Sequence, residues 1–262
     1  MPRFSFGYIA TSSEDIHMKK ILILIAFLFS MQPLSAQLKV LFPAGDGLDV
    51  TADWYPVSSN LPVILLCHQD KSSRGEYIET ALRLNKFGFN CMAVDQRVGE
   101  SVNNITNETA AEAKSKHQNP KFEDAEKDII AAIDFLYLKY KKPIIIVGSS
   151  YSASLALKIA AENNRVMAAA VFSPEEVFTD KNYIGNSIKT LMKPVFATSS
   201  KAEANTVTEL LKDVNSRLKI QYIPTSLGEH GSKVLWPSTP GNQEYWIAFM
   251  SYLDKLKKMS NQ

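Results

Sequence analysis

Cysteine is scarce in this sequence, with Cys67 and Cys91 as the only two in 262 residues. Both lie in apolar runs typical of β-strands, and neither has the spacing of a metal-binding motif. If the two runs are neighbouring parallel strands, the thiols lie about 10 Å apart, which is beyond disulfide reach. The sequence therefore predicts two buried free thiols and no metal site.

Clustered positive charge is also missing. The 29 lysines and arginines nearly balance the 27 acids, and the formal net charge is +2. No stretch gathers basic residues into a face with interleaved aromatic residues. We therefore expect no nucleic-acid partner. The 45% apolar and 21% charged content is that of an ordinary globular domain.

No apolar run reaches the roughly 20 residues that a transmembrane helix needs. The run Ile21 to Phe29 follows Met18-Lys19-Lys20 and precedes Pro33 and Ser35-Ala36. This pattern is typical of a secretory signal peptide with cleavage after Ala36. Retention of the segment as an anchor is the alternative.

The leader defines the predicted domain organisation. A signal peptide begins with its charged end, so we expect translation to start at Met18, with residues 1–17 upstream of the true start. Residues 18–36 are then the signal peptide, and residues 37–262 form one domain. The predicted location is secreted or periplasmic, without stable membrane insertion after cleavage.

Short apolar runs alternate with amphipathic ones through most of the domain. This alternation predicts an α/β fold with a mostly parallel sheet of eight strands and helices on both faces. Asp46-Gly47 between two apolar runs predicts an antiparallel hairpin at the start. Between Ser173 and Lys193 there is room for a short helix but no large lid. This segment and the polar stretch from Gly99 to Lys121 are expected to shape the substrate site.

A nucleophile elbow is the main chemical motif. The apolar run Ile144 to Val147 leads through Gly148-Ser149-Ser150-Tyr151-Ser152 into a helical pattern. The sharp turn of such an elbow needs small residues two positions before and after the nucleophile, here Gly148 and Ser152. Ser150 is therefore the predicted nucleophile, and the following helix N-terminus favours developing negative charge.

A serine nucleophile needs a base, and the chain has four histidines. His17 precedes the signal segment, His117 lies in the polar stretch, and His68 comes too early for the chain order nucleophile, acid, histidine. His230 follows the last strand and is the predicted base.

The sequence offers three candidates for the acid that orients this histidine. Glu203 is the first acid after the seventh strand, where a triad acid is expected. Glu175 and Glu176, after the sixth strand, are competing candidates. The first oxyanion donor is expected to be the Tyr151 amide, and the second an amide in the loop from His68 to Gly75.

In this order the motifs resemble the α/β-hydrolase superfamily, and within it the small lidless serine hydrolases of the dienelactone-hydrolase-like group. The resemblance covers nearly all of residues 37–262. It rests on Asp46-Gly47, His68-Gln69, Asp95-Gln96-Arg97 with Gly99 and Ser101, Gly148–Ser152, Pro194 through Glu203, and His230-Gly231.

The resemblance implies Ser150 as nucleophile, His230 as base, Glu203 as acid, and the amides of Tyr151 and Asp70 as the oxyanion hole. The chain departs from the pattern at three positions: Gln69 and Ser152 replace glycines, and Glu203 replaces aspartate. Dienelactone hydrolases proper use a cysteine nucleophile, so Ser150 argues against a dienelactone substrate.

Together these features predict an exported serine hydrolase that cleaves an ester or related acyl bond through an acyl-enzyme on Ser150, with water as second substrate. No metal and no organic cofactor is expected. Esters are favoured, while thioesters, lactones and peptides stay open, as does the oligomeric state. The alternative is a non-catalytic exported binding protein with the same fold.

Overall fold

An eight-stranded sheet forms the centre of the computed structural model, which describes Met1 and residues 37–260. The predicted signal peptide, residues 18–36, lies outside the described residues. The strand order is β1-β2-β4-β3-β5-β6-β7-β8. The strands are β1 (Leu38–Pro43), β2 (Asp49–Tyr55), β3 (Val63–Cys67), β4 (Asn90–Val94), β5 (Ile144–Ser149), β6 (Val166–Phe172), β7 (Val195–Thr198) and β8 (Lys219–Tyr222).

Strand directions match the prediction of a mostly parallel sheet. β1 pairs antiparallel with β2, and β2 antiparallel with β4, whereas β4, β3, β5, β6, β7 and β8 form parallel pairs. The turn between β1 and β2 contains Gly47 at φ 81°, a conformation that favours glycine. The predicted hairpin is therefore confirmed.

Helices cover both faces of this sheet. They are α1 (Ile78–Lys86), α2 (Glu108–Ser115), α3 (Glu126–Tyr140), α4 (Tyr151–Glu162), α5 (Tyr183–Ser187), α6 (Ala204–Leu210) and α7 (Asn242–Ser260). One apolar core includes α3 and α4, and a second includes α1 and α7. Side chains of β3 alternate between the two cores, since successive strand residues point to opposite faces. Both faces are buried, as in other parallel sheets.

The two loop regions expected to shape the site differ in structure. The polar stretch from Gly99 to Lys121 contains helix α2, whose N-terminus is capped by Asn107 accepting the Ala110 amide at 2.8 Å. The segment from Ser173 to Lys193 holds the short helix α5 and no large lid. Among residues 37–260, no helix is long and apolar enough to span a membrane.

Both cysteines are buried and free, as predicted. In the parallel pairing of β3 with β4, Cys67 lies opposite Val94, and Cys91 lies opposite Ile64. The thiols are therefore offset along the sheet, and burial raises the pKa of both.

The loop after β3 is fixed by a buried arginine. Arg74 contacts Asp53 at 3.1 Å, Asp95 at 2.5 Å and Glu108 at 2.7 Å. Burial raises the pKa of Asp95 to about 6 although Arg74 opposes the shift. The ion pairs tie this loop to β2, to the end of β4 and to α2.

Candidate active site

The carboxyl ends of the parallel strands lie at one edge of the sheet, where ligands bind in open α/β folds. Ser150 follows β5 there with φ 57° and ψ −127°, a region that non-glycine residues seldom occupy. A Cβ on Gly148 would lie 2.4 Å from the Ser152 carbonyl oxygen, so only glycine fits. The structure thus places Ser150 on a strained strand–turn–helix elbow.

Ser152 occupies the second small position of the elbow. Its buried hydroxyl lies 2.7 Å from the Cys67 carbonyl oxygen and accepts the Ser149 amide at 3.1 Å. The serine that replaces a glycine therefore ties the elbow to the end of β3.

The predicted base and one predicted acid are in direct contact. His230 Nδ1 lies 2.6 Å from Glu203 Oε1, and Glu203 Oε2 accepts hydrogen bonds from Ser173 Oγ at 2.8 Å and from the Ser200 amide at 3.1 Å. Glu176 lies elsewhere, because its carboxylate accepts the Ile184 and Gly185 amides. Glu203 also ends the 3₁₀ turn Lys201–Glu203 before α6, so one carboxylate both caps this turn and holds the imidazole.

These contacts shift both ionisation equilibria. Burial alone would raise the pKa of Glu203, but hydrogen bonds from His230, Ser173 and Ser200 outweigh it and lower that pKa to about 2. The hydrogen bond to Glu203 raises the pKa of His230 despite partial burial, and the charge of Glu175 adds to the rise. The pair therefore favours a charged carboxylate beside an imidazole that binds a proton readily.

Glu175, a competing triad acid in the sequence, lies beside the nucleophile instead. Its Oε1 accepts the Ser150 hydroxyl at 3.2 Å and lies 4.0 Å from His230 Nε2. Ser154 holds the Glu175 backbone through two hydrogen bonds, at 2.7 Å and 2.8 Å. The Ser150 hydroxyl bonds to Glu175, and the described residues contain no hydrogen bond between Ser150 and His230.

A cavity of about 510 Å³ opens above these side chains. Ser150, His230, Glu175, Tyr151 and Asp70 all line it, so it brings together the predicted nucleophile, base and oxyanion donors. Of the two loop regions expected to shape the site, the segment from Ser173 to Lys193 contributes Val177, whereas no residue from Gly99 to Lys121 lines the cavity. Phe122, directly after that stretch, does line it. Phe122 stacks on the Tyr151 ring with centroids 4.5 Å apart.

The Asp70 carboxylate has a hydrogen-bond partner within its own loop. It accepts the Lys71 amide at 2.8 Å, while Lys71 takes a positive φ of 52°. Arg74 does not pair with Asp70, because its contacts go to the acids described above. Asp70 itself lines the cavity, where the loop that supplies an oxyanion donor is expected.

His68, excluded as the base by chain order, is fully buried beneath this loop. Its Nδ1 lies 2.7 Å from the Gln69 carbonyl oxygen, and its Nε2 accepts the Gln96 amide at 3.1 Å. Burial lowers the pKa of His68. The neutral ring therefore supports the loop and does not face the cavity.

Sequence reasoning missed Ser173, which links the acid to the histidine loop. Its hydroxyl donates to Glu203 Oε2 and accepts the Gly231 amide at 2.9 Å. Ser173 directly follows β6 and has φ 53°. A polar residue at the carboxyl end of a parallel strand is a signal that could have found it.

Metal ligands do not group at this edge. In the part of the chain that the structure describes, no cluster of three or more His, Cys, Asp or Glu side chains could hold a metal ion.

Solved structures with this fold include several hydrolases. A dienelactone hydrolase from Anabaena variabilis is 14% identical with a TM-score of 0.63, and the alignment covers 83% of this chain and 95% of that one. A cold-adapted esterase from an Arctic intertidal metagenomic library is 20% identical with a TM-score of 0.61, covering 87% and 95%. The Pyrococcus furiosus esterase is 14% identical with a TM-score of 0.62, covering 84% and 92%. At these identities the likeness shows the fold.

The sequence itself matches a known family. No curated protein matches the chain significantly. The family model described as serine aminopeptidase, S33, matches residues 58–221, which is more than half of the chain and spans the elbow and the acid. The chain therefore belongs to the S33 serine aminopeptidase family and is an α/β-hydrolase.

Proposed function

We propose that this hydrolase is an exported serine esterase that acts through an acyl-enzyme on Ser150. His230 is the base, Glu203 orients it, and the Tyr151 and Asp70 amides form the oxyanion hole. The single observation that carries the proposal is the 2.6 Å contact between His230 Nδ1 and Glu203 Oε1, at the cavity that Ser150 lines.

In the first half of the reaction, Ser150 Oγ attacks the acyl carbonyl carbon and its proton passes to His230 Nε2. The carbonyl oxygen becomes an oxyanion that accepts hydrogen bonds from the Tyr151 and Asp70 amides. The bond to the leaving alcohol breaks, and the alcohol oxygen takes the proton from His230. An ester on Ser150 remains.

In the second half, water attacks this ester. His230 Nε2 takes a proton from the water, and a second tetrahedral oxyanion forms in the same hole. Its collapse breaks the bond to Ser150 Oγ, which recovers its proton from His230 as the carboxylic acid leaves. The first attack needs the Ser150 hydroxyl to turn from Glu175 toward His230.

Small esters fit this site best. The cavity of about 510 Å³ lies in the lower half of the usual range for ligand pockets, and the site has no large lid to enclose a long chain. The S33 family name makes peptides the second substrate class to test. Export is proposed from the leader sequence alone, and N-terminal sequencing of the secreted protein tests it.

Covalent labelling tests the hydrolase proposal. We expect a fluorophosphonate probe to label the purified protein, to fail with Ser150→Ala and to react much more slowly with His230→Ala. A non-catalytic binding protein is the competing function, favoured by the Ser150 hydrogen bond to Glu175. That alternative predicts a folded wild-type protein that stays unlabelled, which would refute the proposal.

A further inference from the structure

A closed ring of four hydrogen bonds lies beneath the cavity. The Gln69 amide donates to Glu76 Oε2 at 3.1 Å, and Ser149 Oγ donates to Gln69 Oε1 at 3.3 Å. The Ser232 amide donates to Ser149 Oγ at 2.8 Å, and Ser232 Oγ donates to Glu76 Oε1 at 2.5 Å. The carboxylate of Glu76 is the only charged group of the ring.

Three members of the ring adjoin a proposed catalytic group. Gln69 precedes Asp70, whose amide is the second oxyanion donor, and Ser149 precedes the nucleophile. Ser232 lies two residues after the base. The ring therefore connects the oxyanion loop, the nucleophile elbow and the histidine loop, which come from widely separated parts of the chain.

Glu76 is an almost fully buried acid. The residue is 1% exposed and lies in the turn Arg74–Tyr77 before α1. Within the described residues its carboxylate forms no salt bridge, and it accepts hydrogen bonds from two neutral donors, the Gln69 amide and the Ser232 hydroxyl. A buried charge without a counter-ion is costly, and an apolar side chain would serve the core better. A charge kept under these conditions indicates a role in the site.

The histidine loop is shaped to fit the ring. Gly231 has φ 73°, and a Cβ on it would lie 2.3 Å from Gln69 Oε1 and 2.5 Å from Ser149 Oγ. Its amide donates to Ser173 Oγ, which donates in turn to Glu203. The ring thus continues through Gly231 to the acid that holds the base.

We propose that Glu76 is a positioning residue for hydrolysis. It acts through this ring to hold the Asp70 amide, Ser150 and His230 in the relative positions that the reaction needs. The inference rests on the proposed function. It also explains why Gln69 stands where relatives have glycine, since its side-chain oxygen accepts the Ser149 hydroxyl. Glu76 does not line the cavity, so it acts on the reacting groups through other residues.

Two substitutions of Glu76 separate positioning from substrate binding. Glu76→Leu removes both acceptors, and we expect kcat for a short p-nitrophenyl ester to fall about 100-fold, because misplacement by about 1 Å can cost that much. KM should change less than about 2-fold, since the cavity wall is intact. Glu76→Gln can re-form the ring if its amide donates to Ser232 Oγ, so its loss should be nearer about 10-fold.

The pH profile gives a readout that a purely structural role would not move. The hydrogen bond to Glu203 is the main cause of the raised pKa of His230, and the Glu76 charge adds to it. Removing that charge in Glu76→Gln should shift the acidic limb of kcat/KM to lower pH.

Ser232→Ala tests the ring at a second position, and Tyr252→Phe is the control. Ser232→Ala removes one donor of the ring, and we expect kcat to fall about 10-fold. Tyr252→Phe removes a buried hydrogen bond to the Ala169 carbonyl oxygen, remote from the site, and should lower the melting temperature with kcat unchanged. If Glu76→Leu does not fold, Glu76→Gln and Ser232→Ala carry the test.

The outcomes distinguish this inference from the proposed function. Fluorophosphonate labelling of the wild type with kcat losses in the folded ring variants supports both. In a second outcome, the wild type labels normally while folded Glu76→Gln and Ser232→Ala keep kcat within about 2-fold of the wild-type value. In that case Glu76 is only a structural residue, and this inference is overturned while the proposed function stands. An unlabelled wild type overturns both.

Discussion

Replacing Glu203 with glutamine removes the charge that faces His230 while keeping the length of the side chain. The carboxylate accepts three hydrogen bonds, from His230, Ser173 and Ser200. A glutamine has one accepting oxygen, and its NH₂ group cannot accept from Nδ1–H. With NH₂ facing the ring, His230 carries its proton on Nε2 and cannot take the proton of Ser150.

The pKa shift of Glu203 gives a magnitude for the loss of activity expected in Glu203→Gln. Lowering the Glu203 pKa from 4.5 to about 2 corresponds to about 3 kcal/mol in favour of the charged form. The side chain is 32% exposed, so screening by water reduces this to roughly 1–2 kcal/mol. The wrong tautomer adds to the effect, and we expect kcat/KM to fall about 10²–10⁴-fold in Glu203→Gln.

Stability should respond in a defined pH window. The folded-state pKa of Glu203 lies below the unfolded value, so its stabilising contribution is present above pH 4.5 and is lost as pH falls toward about 2. Urea unfolding at pH 7 and pH 3 should show this loss in the wild type and a smaller one in Glu203→Gln. Glu203→Asp keeps the charge and is the control. A Glu203→Gln variant with kcat/KM within about 3-fold of wild type would refute the assigned acid.

Three further predictions concern the surroundings of the site. The hydrogen bond to Glu203 is the main cause of the raised pKa of His230, and the charge of Glu175 adds to the rise. Glu175→Gln should therefore move the acidic limb of kcat/KM to lower pH. It should also raise kcat/KM for anionic esters about 3–10-fold, since a charge at about 4 Å is worth about 1 kcal/mol in water. Gly148→Ala would place its Cβ against backbone and should lower the free energy of unfolding by about 1–3 kcal/mol or more, measured in urea. Arg74→Met leaves buried carboxylates without their cation and should lower the free energy of unfolding by about 3–5 kcal/mol in the same assay. Arg165→Met breaks an exposed ion pair and should lower it by less than about 1 kcal/mol.

The fold was largely predictable from local patterns. Short apolar runs, the Asp46-Gly47 step and the alternation of strand and helix indicated eight strands in a mostly parallel sheet. Helix α2 was not predicted inside the polar stretch from Gly99 to Lys121. Its hydrophobic periodicity is weak, and its start is set by the buried cap Asn107, which contacts Gln96 and His68 from distant loops.

The site was predictable only where chain order constrains it. The elbow, the histidine and one candidate acid follow from position along an alternating fold. The placement of Glu175 beside Ser150 and the link from Glu76 to Ser232 could not be predicted. These contacts join residues 25 and 156 positions apart and depend on loop conformations that local sequence does not determine.

Trapping of the covalent intermediate tests the central claim most directly. The purified protein, mixed with excess p-nitrophenyl acetate and quenched in acid within milliseconds, should gain the mass of one acetyl group. Peptide mass spectrometry should place that group on Ser150, and the Ser150→Ala variant should gain none. Turnover of the ester without a Ser150 adduct, or an equal adduct in Ser150→Ala, would contradict the account.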